Sequence, residues 1–295
     1  MAGRAEPLRV AVRRGRVVES VHRVHAVAVR AGEVVAVAGD SGLVAFMRSS
    51  AKPLQALPLA RARPELDDCL LAIACASHHA EPAQLAAVRD LLAAAPATED
   101  DLECGVQEGR APERIAHNCS GKHAGFLAVC RARGWPAAGY RLPEHPLQRV
   151  LVEEIEVAAG LRPELGPDGC GVVTFALPLE RMARAFARLP ELDGGARVLA
   201  AMRAHPELVG GAESVDRRLM LAHAGWAAKG GAEGLLCALS TDGLAVALKC
   251  EDGSQRPLAP ALAAVLAPLG HVLAGFARVP LENSRGEIVG EVVCL

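Results

Sequence analysis

Ser49 and Lys52 stand in the stretch RSSAK at residues 48–52, after the apolar run GLVAFM and before PLQALPLARA. On a helix, the spacing i, i+3 puts hydroxyl and amine on one face, where a neutral lysine amine could take the serine proton and leave a nucleophile. The same pattern also suits the bare start of a helix, because serine is a common N-cap. Two of the nine cysteines stand apart from the rest. Cys119 in HNCSGKH and Cys170 in PDGCGVV each sit in a polar, Gly-containing turn. Cys69 and Cys75 in DDCLLAIACAS and Cys237 in GLLCALS lie in apolar runs and read as small packing residues. An odd cysteine count fits a reducing compartment better than a disulfide framework.

The chain that must position these groups has 295 residues, enough for one large domain or two intimate lobes around a sizeable core. Its 32 basic and 34 acidic residues leave a net charge of −2, which argues against nucleic acid or an anionic membrane as partner, since both call for a basic surface. The longest uncharged stretch, PLAPALAAVLAPLGHVLAGF, is broken by Pro257, Pro260, Pro268, Gly270 and His271 and reads as a buried helix followed by a turn, not a span. The N-terminal MAGRAEPLRVAVRRGR has no apolar core of the secretory kind, so the expected location is cytoplasmic.

Residues 8–47 alternate and are rich in valine, which predicts several antiparallel strands joined by Gly or Asp turns. From Lys52 to about Ala224 the pattern is mainly helical, as in EPAQLAAVRDLLAAA, KHAGFLAVCRARG and HPLQRVLVEEIEVAAG, with Pro near starts and Gly near stops. EGLLCALSTDGLAVALKC at 233–250 predicts a hairpin about Asp242-Gly243, a helix follows from about Pro257, and GEIVGEVVCL closes the chain as a strand. Strands at both ends with helices between predict an α/β (α+β) fold: one sheet from both chain ends (1–50 and 225–295) with a mainly helical lobe (51–224) inserted.

That order of elements resembles the serine acylases of the penicillin-binding and β-lactamase superfamily: a strand, Ser-x-x-Lys at the start of the next helix, a second serine in the helical lobe, and Lys-x-Gly on a late strand. Ser77 in CASHHAEP and Lys229 in AAKGGAEGLL match the later elements. A second cation near Lys52 would help keep one amine neutral. More narrowly, RSSAKPLQALP, CASHHAEP, HNCSGKHAGFL, PDGCGVVTFALPL, HPELVGG, KGGAEGL and CEDGSQRP together resemble the asparaginase II family of Rhizobium etli type, the type III L-asparaginases, over about residues 48–257.

The resemblance implies Ser49 as nucleophile, Lys52 and Lys229 as assisting lysines, and Ser77 as the serine that links them. It implies a zinc site made of Cys119, Lys122 and Cys170, an unusual set because zinc ordinarily takes Cys and His. Arg48, His123 and Asp168 would then shape the amide pocket, although Arg48 also reads as a surface charge and His78 as a solvated loop residue. The implied activity is hydrolysis of L-asparagine to L-aspartate and ammonia through an acyl-enzyme, in a homodimer. Threonine chemistry is disfavoured, because the chain has only Thr98, Thr174 and Thr241, the last in a turn. Two other readings share parts of the pattern: a serine acylase acting on β-lactams, and a non-enzymatic thiolate metal-binding domain.

Overall fold

The computed structural model describes residues 5–295. The strands are β1 Leu8–Arg14, β2 Val17–Arg30, β3 Glu33–Ala38, β4 Val44–Phe46, β5 Glu164–Pro167, β6 Val173–Pro178, β7 Ala227–Gly231, β8 Leu235–Leu239, β9 Ala245–Cys250, β10 Arg278–Glu282 and β11 Ile288–Cys294. A curled antiparallel sheet runs β10-β11-β1-β2-β9-β8-β7, with β3 also paired to β2. Both ends of the chain therefore meet in one sheet, Val10 opposite Cys294, and the helices from Lys52 to Ala222 are inserted between. This is the arrangement expected from the order of elements, one antiparallel sheet made from both chain ends with a helical lobe inserted.

Alternation along the central strands divides the core. Val27, Val29, Cys237, Leu239, Ala245 and Ala247 face the helical insertion, whereas Val24, Ala26, Ala28, Ala238, Val246 and Leu248 face the helix Leu258–Leu266. With both faces covered, β8 and β9 read as nearly unbroken apolar runs, each buried leucine contributing about 1.5–3 kcal/mol. The uncharged stretch about Pro260 is that covering helix, and no helix among the described residues is long and apolar enough to cross a membrane.

The helical insertion also holds strands. β6 pairs with β5 and with β4, forming a second, three-stranded sheet whose edge leads into RSSAK. The predicted proline starts and glycine stops are present in the helix Pro146–Ala159, which begins on Pro146 and ends at Gly160 with φ 62°.

Candidate active site

β4 delivers the serine. Met47 N–H is tied to Phe175 O at 2.8 Å, Arg48 then turns into the left-handed region at φ 49°, and Ser49 follows within a 3-10 turn, Arg48–Ala51, that runs into the helix Lys52–Gln55. A non-glycine residue held at positive φ costs of order 1–3 kcal/mol and survives only where its surroundings fix it. Here the Arg48 N–H donates to Thr174 Oγ1 at 3.2 Å and its Nε to Asp168 Oδ1 at 2.6 Å. Three residues per turn place Ser49 and Lys52 in line more closely than an α-helix would. Arg48 is thus a half-buried member of an ion pair, not a free surface charge.

Ser49 is half-buried and opens on a cavity of about 580 Å³ that Ser77, Asn118, Asp216 and Lys229 also line. Its hydroxyl has no hydrogen-bond partner among the described residues. Lys52 lies behind the wall, fully buried, donating to Ser77 Oγ at 3.1 Å and to the Ala76 carbonyl. Burial lowers its pKa; the Cys119 thiolate opposes that shift, and the Lys229 and Lys122 cations reinforce it. Ser77 is held by a bridge to Gly210 and by its N–H on Val209 O at 2.8 Å.

Lys229 comes from β7, which passes so close to the serine turn that a Cβ on Gly231 would sit 2.7 Å from Met47 O. Its amine does not bond Ser77. It donates to Asp216 Oδ2 at 3.0 Å and to Gly230 O at 2.9 Å. Burial would raise the Asp216 pKa, but Lys229, the Ser214 hydroxyl and the Gly230 N–H together hold it down to about 2.

The second group of expected residues forms a separate buried cluster, tied to the serine turn by the Arg48–Asp168 pair. Cys119 caps the helix Ser120–Arg133, which lies tightly on the helix Asp68–Ala74 because Gly121 has no side chain; a Cβ there would stand 2.2 Å from Ile73 O. Lys122 Nζ is 3.1 Å from Cys170 Sγ, and Cys170 Sγ is 3.7 Å from Asp168 Oδ2. The neighbouring Cys170 thiol holds Cys119 well below the usual thiol range, while the Cys119 sulfur and burial push Cys170 up. Burial would lower Lys122, but the Cys170 and Cys119 sulfurs and Asp168 push it well up. Two adjacent sulfurs and an amine can surrender protons to a cation, so the donor set suits zinc.

His123, next along that helix, is fully buried. Its Nδ1 shares a hydrogen bond of 2.8 Å with Tyr140 Oη, which also accepts the Glu103 N–H at 2.7 Å. Nε2 of the ring is buried with no partner among the described residues. His78 is not a solvated loop residue either: it is buried, bonds Ser120 Oγ at 2.7 Å, and burial lowers its pKa to about 3.

The sequence reading missed four residues of the site: Asp216, Tyr140, His117 (whose Nδ1 accepts the Cys119 N–H at 3.0 Å) and Asn118 on the cavity wall. A second metal-capable group, His22, Cys250 and Asp252, lies apart from both the cavity and this cluster and is bonded within itself, His22 Nδ1 to Asp252 at 2.6 Å and Cys250 Sγ to Asp252 at 2.9 Å.

No curated protein matches the chain. Among solved structures, it is similar to Mglu in its native form with 4.3 M NaCl, at a TM-score of 0.50 and 16% identity, covering 89% of this chain and 66% of that one. Mglu in its native form aligns at 0.49 and 15%, covering 89% and 69% of the two chains. A β-lactamase from Mycobacterium bovis aligns at 0.41 and 14%, covering 83% of this chain and 94% of the other. Likeness at such identity bears on fold alone. The sequence itself is matched from residue 10 to residue 294 by the description of one family, and the chain belongs to it: L-asparaginase II, a family of amidohydrolases.

Proposed function

We propose that the protein is an L-asparaginase that forms an acyl-enzyme on Ser49. The observation that carries this reading is the convergence on one cavity of an unpartnered serine hydroxyl, a second serine bonded to a buried lysine, and a second lysine from the facing strand. Lys52, its pKa lowered by burial, is the base: its neutral amine takes the Ser49 proton, directly or through Ser77, as Ser49 attacks the side-chain amide carbon of L-asparagine. The carbonyl oxygen becomes an oxyanion, which backbone N–H groups of Ser49 and of the strand after Lys229 would stabilise. The Gly230 N–H is already engaged by Asp216 at 2.8 Å, so that donor would come from Gly231 or Ala232 on the cavity wall. Ammonia leaves with the proton returned through Lys52 and Ser77, and water then hydrolyses the aspartyl ester.

Cys119, Lys122 and Cys170 would hold zinc, with Asp168 and His123 beside it. Zinc supplies a fixed positive charge that can orient polar groups of the substrate. The acyl transfer runs on Ser49 and the lysines. The unpartnered Nε2 of His123 is suited to hydrogen-bond a polar group of the substrate there. A homodimer in the cytoplasm belongs to the same proposal. The exposed Val17, Val18 and Val21 of β2 and Val35 and Val37 of β3 supply apolar area for a second copy.

The test is coupled ammonia release from L-asparagine and L-glutamine, with chromogenic hydrolysis of nitrocefin and the Ser49→Ala variant alongside. Turnover of L-asparagine that vanishes in Ser49→Ala is expected; nitrocefin hydrolysis without amide turnover would replace this reading with a β-lactam acylase.

A further inference from the structure

Two lysines serve the cavity, and the proteins around them treat them differently. Lys52 hydrogen-bonds only to neutral oxygens, those of Ala76 and Ser77. Lys229, equally buried, meets a carboxylate: Asp216, 3% exposed, at 3.0 Å. The same Oδ2 accepts the Gly230 N–H at 2.8 Å, so one oxygen clamps both the side chain of Lys229 and the strand that carries it. Asp216 Oδ1 accepts the Arg217 N–H at 2.9 Å, which fixes the carboxylate on the first turn of the helix Val215–Ala222. We infer that Asp216 is the positioning residue of the site: it clamps Lys229 as a fixed cation on the cavity wall and thereby leaves Lys52 as the amine that takes the Ser49 proton. This rests on the serine-lysine reading above and goes further by assigning the lysines different roles and by adding a fifth residue to the site.

The surroundings leave that pairing undisturbed. Arg217 donates to Glu81 at 2.9 and 3.0 Å and to Gly210 O at 3.2 Å. Arg218 lies over the Phe276 ring at 5.4 Å. His79 packs against Gly211, and burial lowers its pKa. Glu213 and Arg256 line the outer cavity, and Lys52 is faced by Cys119, Lys122 and Cys170 from the other side.

Charge bookkeeping gives the proposal a signature that a merely structural carboxylate lacks. The Asp216–Lys229 pair is neutral as a unit. Lys229→Met leaves a bare carboxylate, which favours protonated Lys52 and moves the acid limb of the rate profile to higher pH. Asp216→Asn leaves a bare ammonium, which favours neutral Lys52 and moves the limb to lower pH. The double variant, neutral again, returns the limb to near its original place. The measurement is kcat and KM against pH on L-asparagine for the three variants, with Ser49→Ala in parallel. In Asp216→Asn, kcat falls by roughly ten- to a hundredfold, the scale of a misplaced catalytic group, while KM changes by less than about threefold.

Limbs that move in the same direction in the two single variants, or an Asp216→Asn profile that does not move, would overturn the assignment. If the single variants fail to fold because each buries an unpaired charge, the double variant decides. Folding with kcat down roughly a hundredfold upholds the role, and near-wild-type kcat removes it. Activity surviving in Ser49→Ala would instead overturn the serine-lysine reading, so the two failures are distinct.

Discussion

The cavity wall and the thiol cluster each bury lysine, and the difference between them lies in what each amine faces. Behind the cavity wall, Lys52 hydrogen-bonds to neutral oxygens and is pushed toward the uncharged form by burial. In the thiol cluster, Lys122 has the Cys170 and Cys119 sulfurs and Asp168, which push it the other way. Burial acts on both with the same sign, and the partner decides the outcome. A buried lysine is thus not by itself a base; it becomes one where burial and neighbouring cations outweigh the anions that face it, as at Lys52 despite the Cys119 thiolate, and it becomes a counter-ion, or after proton loss a metal ligand, where thiolates are in direct contact.

The largest effect that can break this contrast is on the nucleophile. Ser49→Ala should lower kcat/KM by at least about a thousandfold while the fold persists, as deletion of a serine hydrolase nucleophile does. Retention of more than a tenth of the activity would move the attack to Ser77 or to a metal-bound water. Lys52→Met should remove nearly all activity together with the acid limb of the pH profile. In the wild type, that limb should rise as the Lys52 ammonium loses its proton, below the ordinary lysine range because the pKa is lowered.

The thiol cluster is tested by metal content. Purified protein should carry about one zinc per chain, and Cys119→Ser or Cys170→Ser should each strip most of it, because a hydroxyl that keeps its proton is a poor replacement for a thiolate. Cys250→Ser should leave the content unchanged. Equal zinc in all three would place the metal elsewhere and reduce Cys119 and Cys170 to packing.

Stability against pH sharpens the comparison further. His78 has a folded pKa of about 3 against about 6.5 unfolded, so the unfolded chain takes the proton first. The contribution present above about 6.5 is lost as pH falls to about 3, up to about 5 kcal/mol at the limit. Asp216 is depressed to about 2 from 3.8, so its contribution of about 2 kcal/mol is present above 3.8 and disappears only as pH falls through 2. Urea unfolding at a series of pH values should show the earlier loss flattened in His78→Gln.

How far the sequence carried can be judged from particular segments. β3 alternates exposed with half-buried residues along its whole length, and that period was readable; β1 and β11 were paired by the simple need of both ends for a sheet. β6 was not readable, because VTFALP is nearly all buried and an apolar run without alternation looks the same in a strand as in a helix. Ser49, Lys52, Ser77 and Lys229 were expected by type and order; three of them line one cavity and Lys52 lies behind its wall, bonded to Ser77. The link expected from Ser77 to both lysines is present only to Lys52. Asp216 was invisible for a plain reason: an acid in the first turn of a helix is ordinary dipole compensation, and nothing in ESVDRRLM says that its oxygen meets a lysine 13 residues later.

The close passage of β7 over the serine turn has a practical side for anyone reshaping this enzyme. Gly231 works as a spacer of no thickness between two segments encoded far apart, and the carbonyl of Met47 leaves no room for even a methyl group. A combinatorial library should hold that position constant, since every alternative would shift Ser49 relative to Lys229 and hide any gain in selectivity behind lost turnover. Diversity belongs elsewhere on the wall, at Glu213, Arg218 and Arg256, which border the cavity; Gln255 is kept, because its Nε2 holds the Gly231 carbonyl at 2.8 Å.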